Sequence, residues 1–119
     1  MSNAINWFEI FVQDLNRATH FYEATLAIEL RREDYAHKPT VVFPAGDGVG
    51  GALVQDPARK PGDGTLVYLN AGGKLDACLQ RVAAAGGAVV LPKTDIGDPG
   101  FIALIRDTEG NTVGLHDER

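Results

Sequence analysis

The stretch INWFEIFVQDLNRATHFY, Ile5 to Tyr22, decides the fold. Its opening residues alternate, so Ile5, Trp7, Glu9 and Phe11 fall on one face of a strand and Phe8, Ile10 and Val12 on the other. Both faces are largely apolar, which suits a strand covered on both sides. Asp14 stands where a helix N-cap belongs, with a carboxylate able to accept from the free N–H groups of a first turn. After it, Leu15, Ala18, Phe21/Tyr22 and Thr25/Leu26 recur at helical spacing and predict a buried stripe, with Arg17, His20 and Glu23 on the polar face. A strand, a tight turn and an amphipathic helix therefore open the chain.

Three more strands are expected before the midpoint. Ile28 to Glu33 alternates apolar with charged residues, Thr40 to Phe43 is short and β-branched, and Gly51 to Gln55 returns after the turn signal Gly46-Asp47-Gly48. Asp56 to Asp63, DPARKPGD, has two prolines and no apolar periodicity, and is predicted to link two halves. The second half repeats the plan. A strand over Thr65 to Asn70 leads to a helix over Leu75 to Ala84 that buries Leu75, Cys78/Leu79 and Val82. Gly86-Gly87 supplies a left-handed stop, which only glycine adopts cheaply. A short strand over Val89 to Leu91 and a polar loop over Pro92 to Gly100 come next. Phe101 to Arg106 and Thr112 to His116 then form a hairpin around Thr108-Glu109-Gly110, with Gly110 in the left-handed position. The expected fold is α+β, two tandem βαβββ units with curled mixed sheets forming a cup. Residues 1–119 make one domain, with units at 5–55 and 64–116 and a linker at 56–63.

Composition narrows the partners. With 45% hydrophobic residues, a chain of 119 residues can build a core without disulfides or metal staples. The formal net charge is -5 and no Lys/Arg cluster is present, so neither nucleic acid nor an anionic membrane surface is an expected partner. No apolar run has the length of a membrane span, no basic-then-apolar signal pattern opens the chain, and Cys78 is the only cysteine. A cytoplasmic protein is the expectation.

The patterns FEIFVQDLNRATHFYEATL and DTEGNTVGLH, in this order and separation, resemble the vicinal oxygen chelate superfamily, which includes glyoxalase I, extradiol dioxygenases and the fosfomycin- and bleomycin-resistance proteins. The resemblance covers almost the whole chain. It implies paired units that form a cup around a small molecule, and a homodimer as the usual state of so short a member. It also implies where metal-using relatives carry His, Gln or Glu ligands: at Trp7, seven residues before Asp14, near Ala52, at or next to Leu66, and at Gly114. Trp, Ala, Leu and Gly offer no lone pair to a divalent ion, whereas a stable site wants three or four N, O or S donors at about 2 Å. No metal or other cofactor is therefore expected, nor a mechanism that relies on one.

Alternation gives the other residues of the cup: Ile5, Trp7 and Glu9 from the first strand, and Leu66, Tyr68 and Asn70 from the fifth. Pairing Asp107 with Asn111 sets Arg106 opposite Thr112, Leu104 opposite Gly114 and Ile102 opposite His116. The result is an apolar cavity with Glu9, Tyr68, Asn70, Arg106 and His116 as polar handles, as in small-molecule pockets. Glu9, beside Trp7 in a partly dry pocket, suits a general acid or base, or else a structural pair with Arg106, His116 or Tyr68. His116 suits a ligand contact or proton shuttle, and Arg106 a grip on a ligand carboxylate or phosphate or a rim pair with Asp107 or Glu109. His20 and His37 read as surface and Cys78 as inert core. Three functions stay open: a binding protein that sequesters a small organic molecule, a metal-independent lyase or isomerase using Glu9, and a divergent metal site using Glu9 and His116.

Overall fold

The computed structural model describes residues 7–34, 38–46, 48–62, 66–97 and 100–119; Ile5, His37, Asp47, Asp63 and Thr65 lie outside them. The first unit runs β1 (Trp7–Val12), α1 (Leu15–Leu26), β2 (Arg31–Arg32), β3 (Thr40–Val42) and β4 (Gly50–Gln55). The second runs β5 (Tyr68–Asn70), α2 (Leu75–Val82), β6 (Ala88–Asp95), β7 (Phe101–Arg106) and β8 (Thr112–Asp117). Each unit forms a four-stranded mixed sheet of the same topology, β1-β4-β3-β2 and β5-β8-β7-β6, with its first strand parallel to its last. The fold is thus α+β, a tandem pair of βαβββ units.

The alternation in β1 sorts as expected. Ile10 and Val12 are buried and Phe8 packs beside them, while Trp7 and Glu9 face solvent. The apolar stripe of α1 (Leu15, Ala18, Phe21, Tyr22, Thr25) is buried, and so are Leu75, Cys78 and Val82 of α2. One hydrophobic cluster takes in the inner residues of both sheets and both helices, so the helical faces of the two units share a core.

Both helices begin on a carboxylate or amide delivered by a strand. Asp14 caps α1 through its Oδ1, which accepts from the Arg17 N–H at 3.0 Å, and Gln55 Oε1 at the end of β4 accepts from the Leu15 N–H at 2.9 Å. Lys74 at the start of α2 makes no side-chain cap, and Asp117 at the end of β8 takes over. Its Oδ2 accepts from Leu75 N–H and its Oδ1 from Gly73 N–H, both at 2.8 Å. The same place in each unit therefore satisfies the orphan donors of that unit's helix.

Several boundaries differ from the sequence expectation, among them the fifth strand, which covers only Tyr68–Asn70 and leaves Leu66 and Val67 ahead of it. The second strand is only Arg31–Arg32, because α1 ends in a left-handed Ala27 (φ 54°) and Glu23 Oε2 takes the Leu30 N–H at 2.9 Å. Helix α2 stops at Val82; Ala83 to Gly86 form a turn, with Gly86 at φ 103°. The first four residues of the polar loop expected over Pro92 to Gly100 are strand. β6 runs through to Asp95 as the sheet's edge, with pairing irregularities between Val89 and Leu91 and between Leu91 and Thr94. An edge strand with bulges accommodates Pro92, which a central strand would not. The register of the final hairpin is the expected one: Arg106 faces Thr112, Leu104 faces Gly114 and Ile102 faces His116.

Candidate functional site

The residues turned away from the shared core define a second face on each sheet. On the first, Trp7 pairs with Gly50, Glu9 with Ala52 and Phe11 with Val54. The Trp7 indole lies against Gly50 so closely that a Cβ there would sit 3.2 Å from its ring. Its Nε1–H donates to Glu9 Oε2 at 3.3 Å. Phe11 packs on a small apolar patch of Val42, Ala52 and Val54. On the second sheet Tyr68 pairs with Gly114 and Asn70 with His116. The Tyr68 ring covers Gly114, where a Cβ would come within 2.2 Å of it. Trp7, Leu66 and Tyr68 remain 40%, 39% and 46% exposed.

Within one chain these residues do not converge on a single enclosed cavity. Trp7 and Glu9 line an open cleft of about 900 Å³ with Phe11, Arg59, Lys60 and Thr112. Leu66, Tyr68 and Asn70 line another, of about 910 Å³, against Phe8, Phe43 and Val49. Leu104, Arg106 and His116 border neither, although they share the β7–β8 face with Gly114 and Thr112. Glu9 is solvent-exposed, so the partly dry setting expected for it is not provided by a single chain. Asn70 is partly spent, its Oδ1 accepting from the Gly72 N–H at 2.8 Å. His20 is on the surface as expected, and burial pushes the Cys78 thiol up, in keeping with inert core.

The acids expected to pair with Arg106 have other work. Glu109, its side chain shielded from solvent, takes the Arg17 guanidinium at 2.7 Å and the backbone N–H groups of Gln13 and Asp14 at 3.0 Å. Burial disfavours its charge, but Arg17, Asp14 N–H, Thr108 Oγ and Gln13 N–H outweigh that and hold the carboxyl at about 2. Asp107 accepts from the buried Tyr22 hydroxyl at 2.7 Å and from Asn111 Nδ2 at 3.1 Å. Burial and the Asp107 charge raise the Tyr22 hydroxyl well above its ordinary range. The hairpin turn of the second unit thus clamps the start of α1 in the first.

Sequence reasoning missed the part played by Asp56 to Gly62. Read as a linker, this segment lies across the β1 cleft and contributes Ala58, Arg59, Lys60, Pro61 and Gly62 to its lining. The signal was an Arg-Lys pair held between prolines, which periodicity cannot place on either face.

The positions where the resemblance puts metal ligands are occupied by Trp7, Ala52, Leu66 and Gly114. The repeated helix capping by Gln55 and Asp117, and the pairings Glu9–Ala52 and Tyr68–Gly114, make Trp7 equivalent to Leu66 and Ala52 to Gly114. The four positions are therefore two related pairs on the outward faces, and none carries a donor atom for a divalent ion. Tyr68 fills the space at Gly114. Among the described residues no group of three or more His, Cys, Asp or Glu could hold a metal ion. These residues do not fit the metal.

Two βαβββ units that turn aromatic, sparsely polar faces outward define a cup-forming protein of the glyoxalase type. The chain belongs to the Glyoxalase/Bleomycin resistance protein/Dioxygenase superfamily, whose family model matches residues 4–115. Among curated relatives it is 30% identical over 122 aligned positions to "Putative glyoxylase CFP32" of Mycobacterium bovis, covering 92% of this chain and 44% of that one. It thus spans less than half the length of that relative. Among solved structures it is similar to a glyoxalase/bleomycin resistance protein from Albidiferax ferrireducens T118, with a TM-score of 0.75, 20% identity, and coverage of 95% of this chain and 97% of that one. It is also similar to TnmS3, an antibiotic binding protein from Streptomyces sp. CB03234, with a TM-score of 0.69, 27% identity, and coverage of 99% and 98%.

Proposed function

We propose that this protein binds a small organic molecule in an apolar, aromatic-walled cup without the divalent metal used elsewhere in its superfamily. The observation that carries this reading is the exposure of Trp7, Leu66 and Tyr68 on faces whose metal positions hold no donor. Apolar side chains left in water are stabilised by whatever covers them, at about 25 cal/mol per Å² buried. A planar ligand is one such cover. A second copy of the chain is another, and in a homodimer the two together enclose the cup. Trp7, Glu9, Leu66, Tyr68, Asn70, Leu104, Arg106 and His116 are the side chains assigned to the ligand. The likeness to an antibiotic-binding protein supports the same class of role.

Thermal denaturation against a panel of aromatic and heterocyclic compounds tests this. A rise in midpoint with a subset of the panel is expected, and no rise with any member would remove the reading. Glu9→Gln separates binding from catalysis. In a binding protein it changes affinity modestly and leaves no reaction to lose, whereas a lyase or isomerase using Glu9 would lose orders of magnitude in rate with affinity retained.

A further inference from the structure

The cleft over β1 carries a charge pattern of its own. Its lip is anchored at both ends. At one, Asp56 accepts from the Ala58 N–H through Oδ1 and from Lys38 Nζ through Oδ2, at 3.0 and 2.9 Å, and its carbonyl accepts from the Arg59 N–H at 3.0 Å. At the other, the Gly62 N–H donates to Asn111 Oδ1 at 2.9 Å, and Asn111 Nδ2 donates back to the Phe11 carbonyl of β1 at 3.0 Å. This anchoring sets the Arg59 guanidinium 4.9 Å from the centroid of the Phe11 ring.

Two cations therefore stand at the cleft. Lys38 and the Ala58 N–H hold the Asp56 carboxyl below its ordinary range, and the Arg59 charge helps to lower it. Among the described residues no carboxylate lies within ion-pair distance of Arg59 or Lys60, in a protein whose net charge is -5. The guanidinium lies over an aromatic ring, which restricts its motion while its edge keeps the forked donors that match a carboxylate. Glu9 is the one carboxylate among the cleft's described lining residues, and its Oε2 already accepts from Trp7. Oε1 remains an acceptor. Glu9 and Phe11 share a face two residues apart, which at the rise of a strand is about 7 Å. Glu9 and the Arg59 guanidinium over Phe11 thus stand at neighbouring positions of the cleft, an acceptor and a cation for the two ends of one small ligand. Trp7 and Phe11 offer the aromatic surface for a ring to pack on.

We propose that the β1 cleft takes a small planar aromatic acid: a single ring whose anionic group meets Arg59 and Lys60 and whose opposite hydrogen-bond donor meets Glu9. The assignment rests on the small-molecule-binding reading above and adds the chemical class. A cationic ring meets repulsion at the lip. A neutral one keeps the packing and loses the ion pair.

Trp7 is the only tryptophan and lines this cleft, so its fluorescence reports on the cleft, at a protein concentration held fixed throughout. The 119-residue chain is titrated with 4-hydroxybenzoate, 4-hydroxybenzamide and 4-hydroxybenzylamine. The acid is expected to perturb Trp7 emission with an affinity at least tenfold above the amide, and the amine to bind weakest. Replacing both Arg59→Ala and Lys60→Ala should erase the difference between acid and amide. Arg32→Ala, which removes a cation paired with Asp34 far along the same sheet, should leave it. Equal binding of acid and amide, tighter binding of the amine, or a preference that survives the double substitution would overturn the proposal. If none of the three perturbs Trp7 while other compounds in the thermal panel stabilise the protein, the ligand class is wrong and the binding reading stands. If nothing in the panel stabilises it either, the binding reading fails first.

Discussion

Glu9 shows how far a single residue can be read. Alternation placed it on the outward face beside Trp7, and it lies there, accepting from the indole at 3.3 Å. Its solvation was not legible, because that depends on what covers the face, and nothing local in the chain encodes the cover. Gly87 makes the opposite case. With Gly86 it reads as a helix stop, yet only Gly86 has positive φ. Gly87 is needed for close approach: a Cβ there would lie 2.4 Å from the Arg106 carbonyl oxygen and 2.5 Å from the Phe21 ring. Backbone cannot swing aside as a side chain end can. Gly87→Ala is therefore expected to destabilise the fold by about 1–3 kcal/mol in a denaturant titration, as overpacking does. A change below a few tenths would mean that the β7 backbone yields freely.

At the scale of elements, α1 and the β7–β8 turn act as one piece. Glu109 satisfies two backbone donors ahead of α1 and binds Arg17, so Glu109→Ala leaves the Gln13 and Asp14 N–H groups without their acceptor. A loss of about 2–3 kcal/mol is expected from chemical denaturation. The same contact gives a pH dependence with a definite sign. The folded carboxyl sits at about 2 against an ordinary 4.5, so its contribution is complete above 4.5 and is lost as the pH falls toward 2. Glu109→Gln should flatten that part of the stability–pH curve, and an unchanged slope would place the acid sensitivity elsewhere. The order of elements and the hairpin register were legible in the sequence because periodicity, Asp14 and the Asp107–Asn111 pairing are local. The clamp was not, since Arg17 and Glu109 are 92 positions apart. The extension of β6 was missed because Pro92 argues against a strand unless it is known to lie at an edge.

At the scale of the molecule, the shared core uses up one face of each sheet and leaves the other two toward water. Val89, Val90 and Ile96 along and beyond the β6 edge add exposed apolar surface to that of Trp7, Leu66 and Tyr68. Pairing of two copies would cover such surface, and the symmetric dimer proposed above is the arrangement to test. Light scattering at micromolar concentration should give twice the 12.7 kDa chain mass, whereas a monomer would leave the cup to be closed by ligand alone.

Trp7, Ala52, Leu66 and Gly114 hold the positions at which the resemblance puts the metal ligands of relatives, and none of the four offers a side chain that can ligate. Elemental analysis of protein purified without a chelating tag addresses that directly. Zinc, nickel, manganese and iron are each expected well below one per chain in protein that still binds ligand. One equivalent of any of them, retained through dialysis and required for ligand binding, would contradict the metal-free reading.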